Sequence, residues 1–281
     1  MKAAGARLTP LERADIMSGL AHAVASVRAA AFLVWTLFWL PIQAISLTFD
    51  TRLSWLVPQI YHRGNCLILG LRVLCHGCPS SDRPVLFVSN HTSYLDIVVL
   101  AAQLKATFVA KQEVAEWPGF GLLARLNRTV FVQRSARRSP EYRDEMHRRL
   151  AAGHSLILFP EGTSNDGNRV LNFNSTFFSV AENRVLTDPT TVQPVAIAYT
   201  RLNGLPVGRS RRPLFAWYGD MSLVGHLWSV LGQSTVTVEI AFLPPVTVET
   251  CGSRKEMAKH CQLLVATCVS DMLSGRPIRS I

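Results

Sequence analysis

Val85-Leu86-Phe87-Val88-Ser89-Asn90-His91-Thr92-Ser93-Tyr94-Leu95-Asp96 passes within one short stretch from an apolar run to a cluster of polar groups. The run Val85 to Ser89 predicts a strand covered on both faces, because a half-exposed strand would alternate. A helix is predicted from Tyr94 to Leu104, beginning near Ser93. A strand entering a polar turn and then a helix is the repeating unit of an α/β sheet, and ligands bind such sheets where strands end.

The same pattern recurs downstream. Further strands are predicted at Thr107 to Ala110, Val130 to Val132, Ser155 to Phe159, Val192 to Ala198 and Thr235 to Phe242. The last alternates Thr-Val-Thr-Val-Glu-Ile-Ala-Phe, the pattern of a half-buried strand. Ser139-Pro140-Glu141 marks a helix start, with a capping Ser and Pro at the first helical position, and Gly153 marks its end. A final helix is predicted from Lys255 to Leu273. The expected fold class is α/β, a mixed, mostly parallel sheet covered by helices, occupying residues 76–281.

Residues 1–75 read differently. Ala29 to Phe49 is 21 residues without a charge, about 30 Å as a helix and enough to cross a hydrocarbon core. Pro41 predicts a kink or an end inside it. Basic residues flank it on both sides, so they leave orientation open, and a hairpin dipping into one leaflet fits as well as a span. Residues 1–75 are therefore expected to form a membrane-associating helical segment.

Composition narrows the partners. Of the 281 residues, 29 are Lys or Arg and 19 are Asp or Glu, a formal charge of +10 that favours anionic partners. No zinc-finger spacing, RNA-binding strand or basic zipper is present, so nucleic acid is not expected. The six cysteines do not form a disulfide or metal pattern: Cys75-His76-Gly77-Cys78 has no matching second pair. They are expected to be reduced and mostly buried.

Two strand ends carry unusual polar content. After Val85 to Ser89 come Asn90, His91 and, four residues past the His-Thr step, Asp96. Ser93 and Asp96 have the spacing of a capping box, which accounts for Asp96 structurally. Asp96 could instead turn back to the His91 ring, fixing one tautomer and leaving the other nitrogen to take a proton. The second strand end is Phe159-Pro160-Glu161-Gly162-Thr163-Ser164. Pro and Gly explain a tight turn; Glu161 and Thr163 are not needed for one.

Asn90-His91-x4-Asp96 followed by Phe159-Pro160-Glu161-Gly162-Thr163 resembles the glycerolipid acyltransferase family that includes 1-acylglycerol-3-phosphate acyltransferases. Val130-Phe131-Val132-Gln133-Arg134 is similar to that family's strand ending in a substrate-binding Arg, and Val192-Gln193-Pro194-Val195-Ala196 to its Pro-centred block. The resemblance implies that His91 is a general base oriented by Asp96. It further implies that Lys111 and Arg134 hold a phosphate, and that Glu161, Gly162 and Thr163 shape the acceptor site.

The implied reaction moves a fatty acyl group from acyl-CoA or acyl carrier protein to a lysophospholipid hydroxyl, with no cofactor or metal. The implied place is a cell inner membrane, with the catalytic part facing the cytoplasm. The expected acceptor is 1-acyl-sn-glycerol-3-phosphate, with lyso-ornithine lipid as the alternative; a non-catalytic protein that binds anionic lipid is the rival of another class. Ser164 replaces the family's usual Arg, and Arg128 its usual Gly. Trp217-Tyr218-Gly219-Asp220 resembles bacterial members, some of which acylate lyso-ornithine lipid.

Overall fold

The computed structural model describes residues 10–49, 52–82, 84–132, 140–182, 184–185 and 188–278. Two helices come first, α1 (Pro10–Thr48) and α2 (Leu53–Ile68), followed by strand β1 (Leu71–His76). The α/β part continues with β2 (Val85–Ser89), α3 (Leu95–Gln103), β3 (Ala106–Lys111), α4 (Phe120–Leu126), β4 (Val130–Val132), α5 (Pro140–Ala151) and β5 (Ser155–Leu158). A small hairpin, β6 (Arg184–Val185) and β7 (Asp188–Pro189), precedes β8 (Thr191–Leu202) and β9 (Leu205–Pro206). Helix α6 (Leu223–Leu231), strand β10 (Val236–Phe242) and helices α7 (Val248–Cys251) and α8 (Arg254–Leu273) complete the chain.

The main sheet has the order β1-β10-β8-β2-β5-β3-β4, with β9 paired to β8. Along this path every neighbouring pair is parallel except β10 with β8. The mixed, mostly parallel sheet expected from the apolar runs is thus present, with β2 in the middle. All five residues of β2 are buried because successive side chains feed two cores. Phe87, with Ile157 and Ile197, packs on the face covered by α2, α3 and α6. Leu86 and Val88 pack on the face covered by α5, α8 and the 3₁₀ segment Ser175–Glu182.

Some expectations need correcting. The alternation in β10 predicted a half-exposed strand, yet Thr237 is buried and only Glu239 is partly exposed. Ala241, on the face shared by those two residues, packs with α8, which extends the cover over that side. Pro41 does not end α1, which runs through it to Thr48. The cysteines are all free, but only Cys66, Cys261 and Cys268 are buried; Cys75 and Cys78 are exposed.

Helix α1 has two unlike sides. Ala25, Gln43 and Ser46 are buried against the rest of the molecule, while Leu33, Val34, Leu37, Phe38 and Ile45 are exposed. The buried side is fastened by polar groups. Arg28 Nη1 donates to the carbonyls of Leu231 (3.1 Å) and Gln233, at the carboxyl end of α6. Gln43 Nε2 donates to the Ser54 and Leu126 carbonyls at 3.1 and 2.9 Å. Its stretch Ser18–Thr48 is long and apolar enough to cross a membrane.

Candidate active site

Because β2, β5, β3 and β4 are parallel, their carboxyl ends share one edge of the sheet. That edge brings Asn90 and His91, Lys111, and the turn after β5 to the same side. Asn90 continues the strand by other means. Its Nδ2 donates to the Ile197 carbonyl and its Oδ1 accepts from the Ile197 N–H, both at 2.9 Å. A side-chain amide with the polarity of a peptide group thereby extends the β2–β8 ladder by one residue.

Asp96 sits in the first turn of α3, completely buried, and its carboxylate is fully engaged. Oδ2 accepts from the N–H groups of Thr92 (2.7 Å) and Ser93 (2.9 Å), and lies 2.9 Å from His91 Nδ1. Oδ1 accepts from the Tyr199 hydroxyl at 2.8 Å. Burial and the neighbouring Asp96 charge hold the Tyr199 hydroxyl far above its ordinary pKa, so it stays a donor. Ser93 gives no full capping box: α3 starts at Leu95, and the Ser93 hydroxyl accepts only a long contact from the Leu95 N–H at 3.4 Å. Asp96 instead gathers the turn and the ring together.

The ring of His91 is 19% exposed and stacks on Phe159, centroids 4.1 Å apart and planes 19° from parallel. With two backbone donors already on Oδ2, His91 Nδ1 must supply its own proton to that oxygen. Nε2 then carries the lone pair, so the ring is arranged to accept a proton.

Glu161 is engaged within the chain. Its Oε1 accepts the His91 N–H at 3.0 Å and its Oε2 accepts Asn165 Nδ2 at 2.8 Å. Burial raises its pKa to about 7, against the pull of those hydrogen bonds. Gly162 has φ +70°, a conformation suited to glycine, and its N–H closes the turn onto the Phe159 carbonyl at 3.0 Å. Thr163 is exposed, its hydroxyl bonded to the Ser164 carbonyl at 3.3 Å. Ser164 donates to the Trp217 carbonyl, and the Trp217 N–H donates to the Thr92 carbonyl at 3.0 Å. One backbone unit, Trp217, therefore joins both strand-end turns.

Of the remaining sequence-derived residues, Lys111 ends β3 and is half-buried. Arg134 lies outside the described residues. Arg128 has φ +58°, which explains why a glycine suits that position. Its Nη2 donates to Ser54 Oγ at 2.7 Å and its guanidinium lies 4.5 Å from the centre of the Trp55 ring.

Sequence reasoning missed Asn90 as a clamp, Tyr199 as the second partner of Asp96, and two histidine pairings. His76 Nε2 meets Glu239 at 3.0 Å, and His226 Nδ1 meets the Tyr94 hydroxyl at 3.0 Å. A tyrosine in the apolar run Val195-Ala196-Ile197-Ala198-Tyr199 was the available signal, since a buried hydroxyl needs a partner.

Beside the site lies an apolar cavity of about 190 Å³, walled by α1, α2, α3, β3 and α4. Tyr94 and Phe108 line it. Phe108 stacks on Phe159 with centroids 6.2 Å apart, and Phe159 stacks on His91, so two rings separate the cavity from the imidazole.

Comparison with known proteins shows the family. Residues 72–198 match the family model described as Acyltransferase. A lyso-ornithine lipid O-acyltransferase of Rhizobium meliloti (strain 1021) is 42% identical over 241 residues, 84% of this chain and 82% of that one. A 1-acyl-sn-glycerol-3-phosphate acyltransferase of Neisseria gonorrhoeae is 31% identical over 180 residues, 63% of this chain and 66% of that one. The crystal structure of the 1-acyl-sn-glycerophosphate acyltransferase from Thermotoga maritima matches with a TM-score of 0.56 at 20% identity. It covers 90% of this chain and 100% of that one, a likeness of fold.

Proposed function

The chain belongs to the acyltransferase family, and from that premise we propose that it transfers a fatty acyl group from an acyl thioester to the free hydroxyl of a lyso-ornithine lipid. The observation that carries the chemistry is the His91–Asp96 pair at 2.9 Å, with Asp96 held by three further donors. His91 Nε2 takes the proton from the acceptor hydroxyl as its oxygen attacks the thioester carbonyl. Asp96 keeps the ring in the required tautomer and stabilises the imidazolium that forms. Collapse of the tetrahedral adduct expels the thiolate, which takes up the proton, and the ester is left on the acceptor.

Glu161, Asn165 and Asn90 act as positioning residues: the first two hold the His91 backbone, and Asn90, next to it in the chain, is clamped to Ile197. The cavity behind Phe108 suits an acyl chain in its wall chemistry and in its nearness to the imidazole. The exposed apolar side of α1 is the surface we assign to the membrane, from which both lipids arrive. Because α1 is fastened to α6 through Arg28 and to α2 and α4 through Gln43, a monotopic seating suits it better than an isolated span.

The preference for lyso-ornithine lipid is supported by the relatives at 42% and 40% identity that bear that name. It is also supported by Ser164, which is committed to the Trp217 carbonyl where the family's usual Arg would bring a cation. Lys111 at the same sheet edge favours a second reading, 1-acyl-sn-glycerol-3-phosphate, because an ammonium suits phosphate as well as carboxylate. Purified protein in detergent, given a labelled acyl thioester and each acceptor in turn, separates the two. Acylation of lyso-ornithine lipid with higher kcat/KM is the expected result; preference for the phosphate acceptor replaces the first reading with the second, and transfer to neither overturns both.

A further inference from the structure

Three polar atoms in the wall of the apolar cavity are buried without a hydrogen-bond partner: His62 Nδ1, Asn65 Oδ1 and Trp39 Nε1. His62 is 8% exposed and Asn65 2%. The two lie three residues apart on α2, hence on one face of that helix, and Trp39 comes from α1, which packs against it. Other polar side chains of this wall have partners. Thr36 meets the Tyr61 hydroxyl at 3.0 Å, and Gln43 bonds two carbonyls.

Such atoms are rare in folded proteins, and each left dry costs roughly 1–3 kcal/mol. Three around one apolar cavity point to a ligand that brings a polar group of its own. A charged group would be expelled by walls of this kind. Burial lowers the His62 pKa to about 4, so its ring is neutral and offers one donor or acceptor at Nδ1. The indole N–H only donates, and an amide oxygen only accepts. A hydroxyl does both: it can give its one hydrogen to Asn65 Oδ1 and accept from the Trp39 indole N–H and, in the tautomer that carries its proton on Nδ1, from His62.

We propose that the cavity selects an acyl chain carrying a hydroxyl along its length, held by His62, Asn65 and Trp39. This rests on the reading that the cavity houses the acyl chain of the donor. It adds a specificity subsite at the α1–α2 interface, removed from the His91–Asp96 pair.

The test uses the full chain in detergent, a plain palmitoyl thioester, and a series of its isomers with a hydroxyl at successive chain positions. One isomer is expected to exceed the parent by roughly tenfold in kcat/KM, the worth of about one net hydrogen bond. In Asn65→Leu and His62→Leu that ratio falls to one or below. If every hydroxylated isomer is slower than palmitoyl in the wild type, the polar atoms hold ordered water only and the proposal is overturned.

Displacement of a fluorescent fatty acid by the same free chains reads the cavity without turnover. Tighter displacement by one hydroxylated chain, in a protein that transfers no acyl group, would sink the proposed reaction while upholding the subsite. Transfer without any preference in either assay would do the reverse. Asn65→Ala, smaller and less prone to disturb α2 packing, replaces Asn65→Leu if the latter does not fold.

Discussion

The two regions that meet at Phe159 and Phe108 are built on opposite terms. Around His91 and Asp96, almost every polar atom has its partner: four donors converge on one carboxylate, and Asn90 doubles as backbone. In the cavity next to it the walls are apolar and three polar atoms have none. The first region is complete as it stands, as the proposed catalytic pair would require. On the proposed reading, the second is completed only when a chain enters, so chemistry would be preorganised while recognition is left to the lipid.

The sharpest way to break this contrast is at the ring itself. His91→Ala should lower kcat/KM by about 10² to 10⁴ and cost roughly 1 kcal/mol of stability, because it removes one of the donors to buried Asp96 and the stack on Phe159. A variant retaining the full rate would remove the proposed base. Asp96→Asn should come close behind in rate. It must also lose stability, by roughly 1–3 kcal/mol in denaturant titration, because the amide removes the charge that four donors surround and turns the acceptor of the Tyr199 hydroxyl into a donor.

Tyr199→Phe tests how far the preorganised region extends. Removal of the hydroxyl strips one donor from Asp96 but leaves the ring contact with Phe215. A loss of about 1 kcal/mol in stability and a several-fold drop in kcat, with KM little changed, is expected. An unchanged kcat would confine Tyr199 to a packing role.

Glu161 gives a pH signature. Its carboxyl is raised in the folded protein to about 7 from an unfolded value near 4.5. The stability it contributes is therefore fully present below the unfolded value and is lost as pH rises through about 7. The melting temperature of wild type minus that of Glu161→Gln should fall across this window; a flat or rising difference would contradict the raised value. The smallest effect belongs to Arg128. Arg128→Gly should be about 1 kcal/mol more stable than Arg128→Ala, since both lose the Trp55 and Ser54 contacts but only glycine relieves φ +58°.

What could be read from the chain follows the same division. Val85 to Ser89 and Ser155 to Leu158 were legible because burial on both faces demands unbroken apolar runs, and the motifs after them are local in sequence. The partners of those motifs were not. Tyr199 reaches Asp96 across 103 positions, and Asn90 reaches Ile197 across 107, distances over which no periodicity operates. β1 was overlooked because Leu-Arg-Val-Leu-Cys-His, at the edge of the sheet, needs no continuous apolar run. The cavity was invisible for another reason. Its walls come from α1 through α4, and a space between elements leaves no pattern in any one of them.

The Arg28 side chain deserves a practical reading. By donating to the Leu231 and Gln233 carbonyls it caps the carboxyl end of α6 from a helix some 200 residues earlier, where a cation also complements the helix dipole. The helix that looks like a detachable anchor is thus a structural member of the enzyme. Deleting it to obtain a tractable soluble fragment would uncap α6, bare the core around Ala25 and open one wall of the apolar cavity. Biochemistry on this chain has to be done with its greasy end attached.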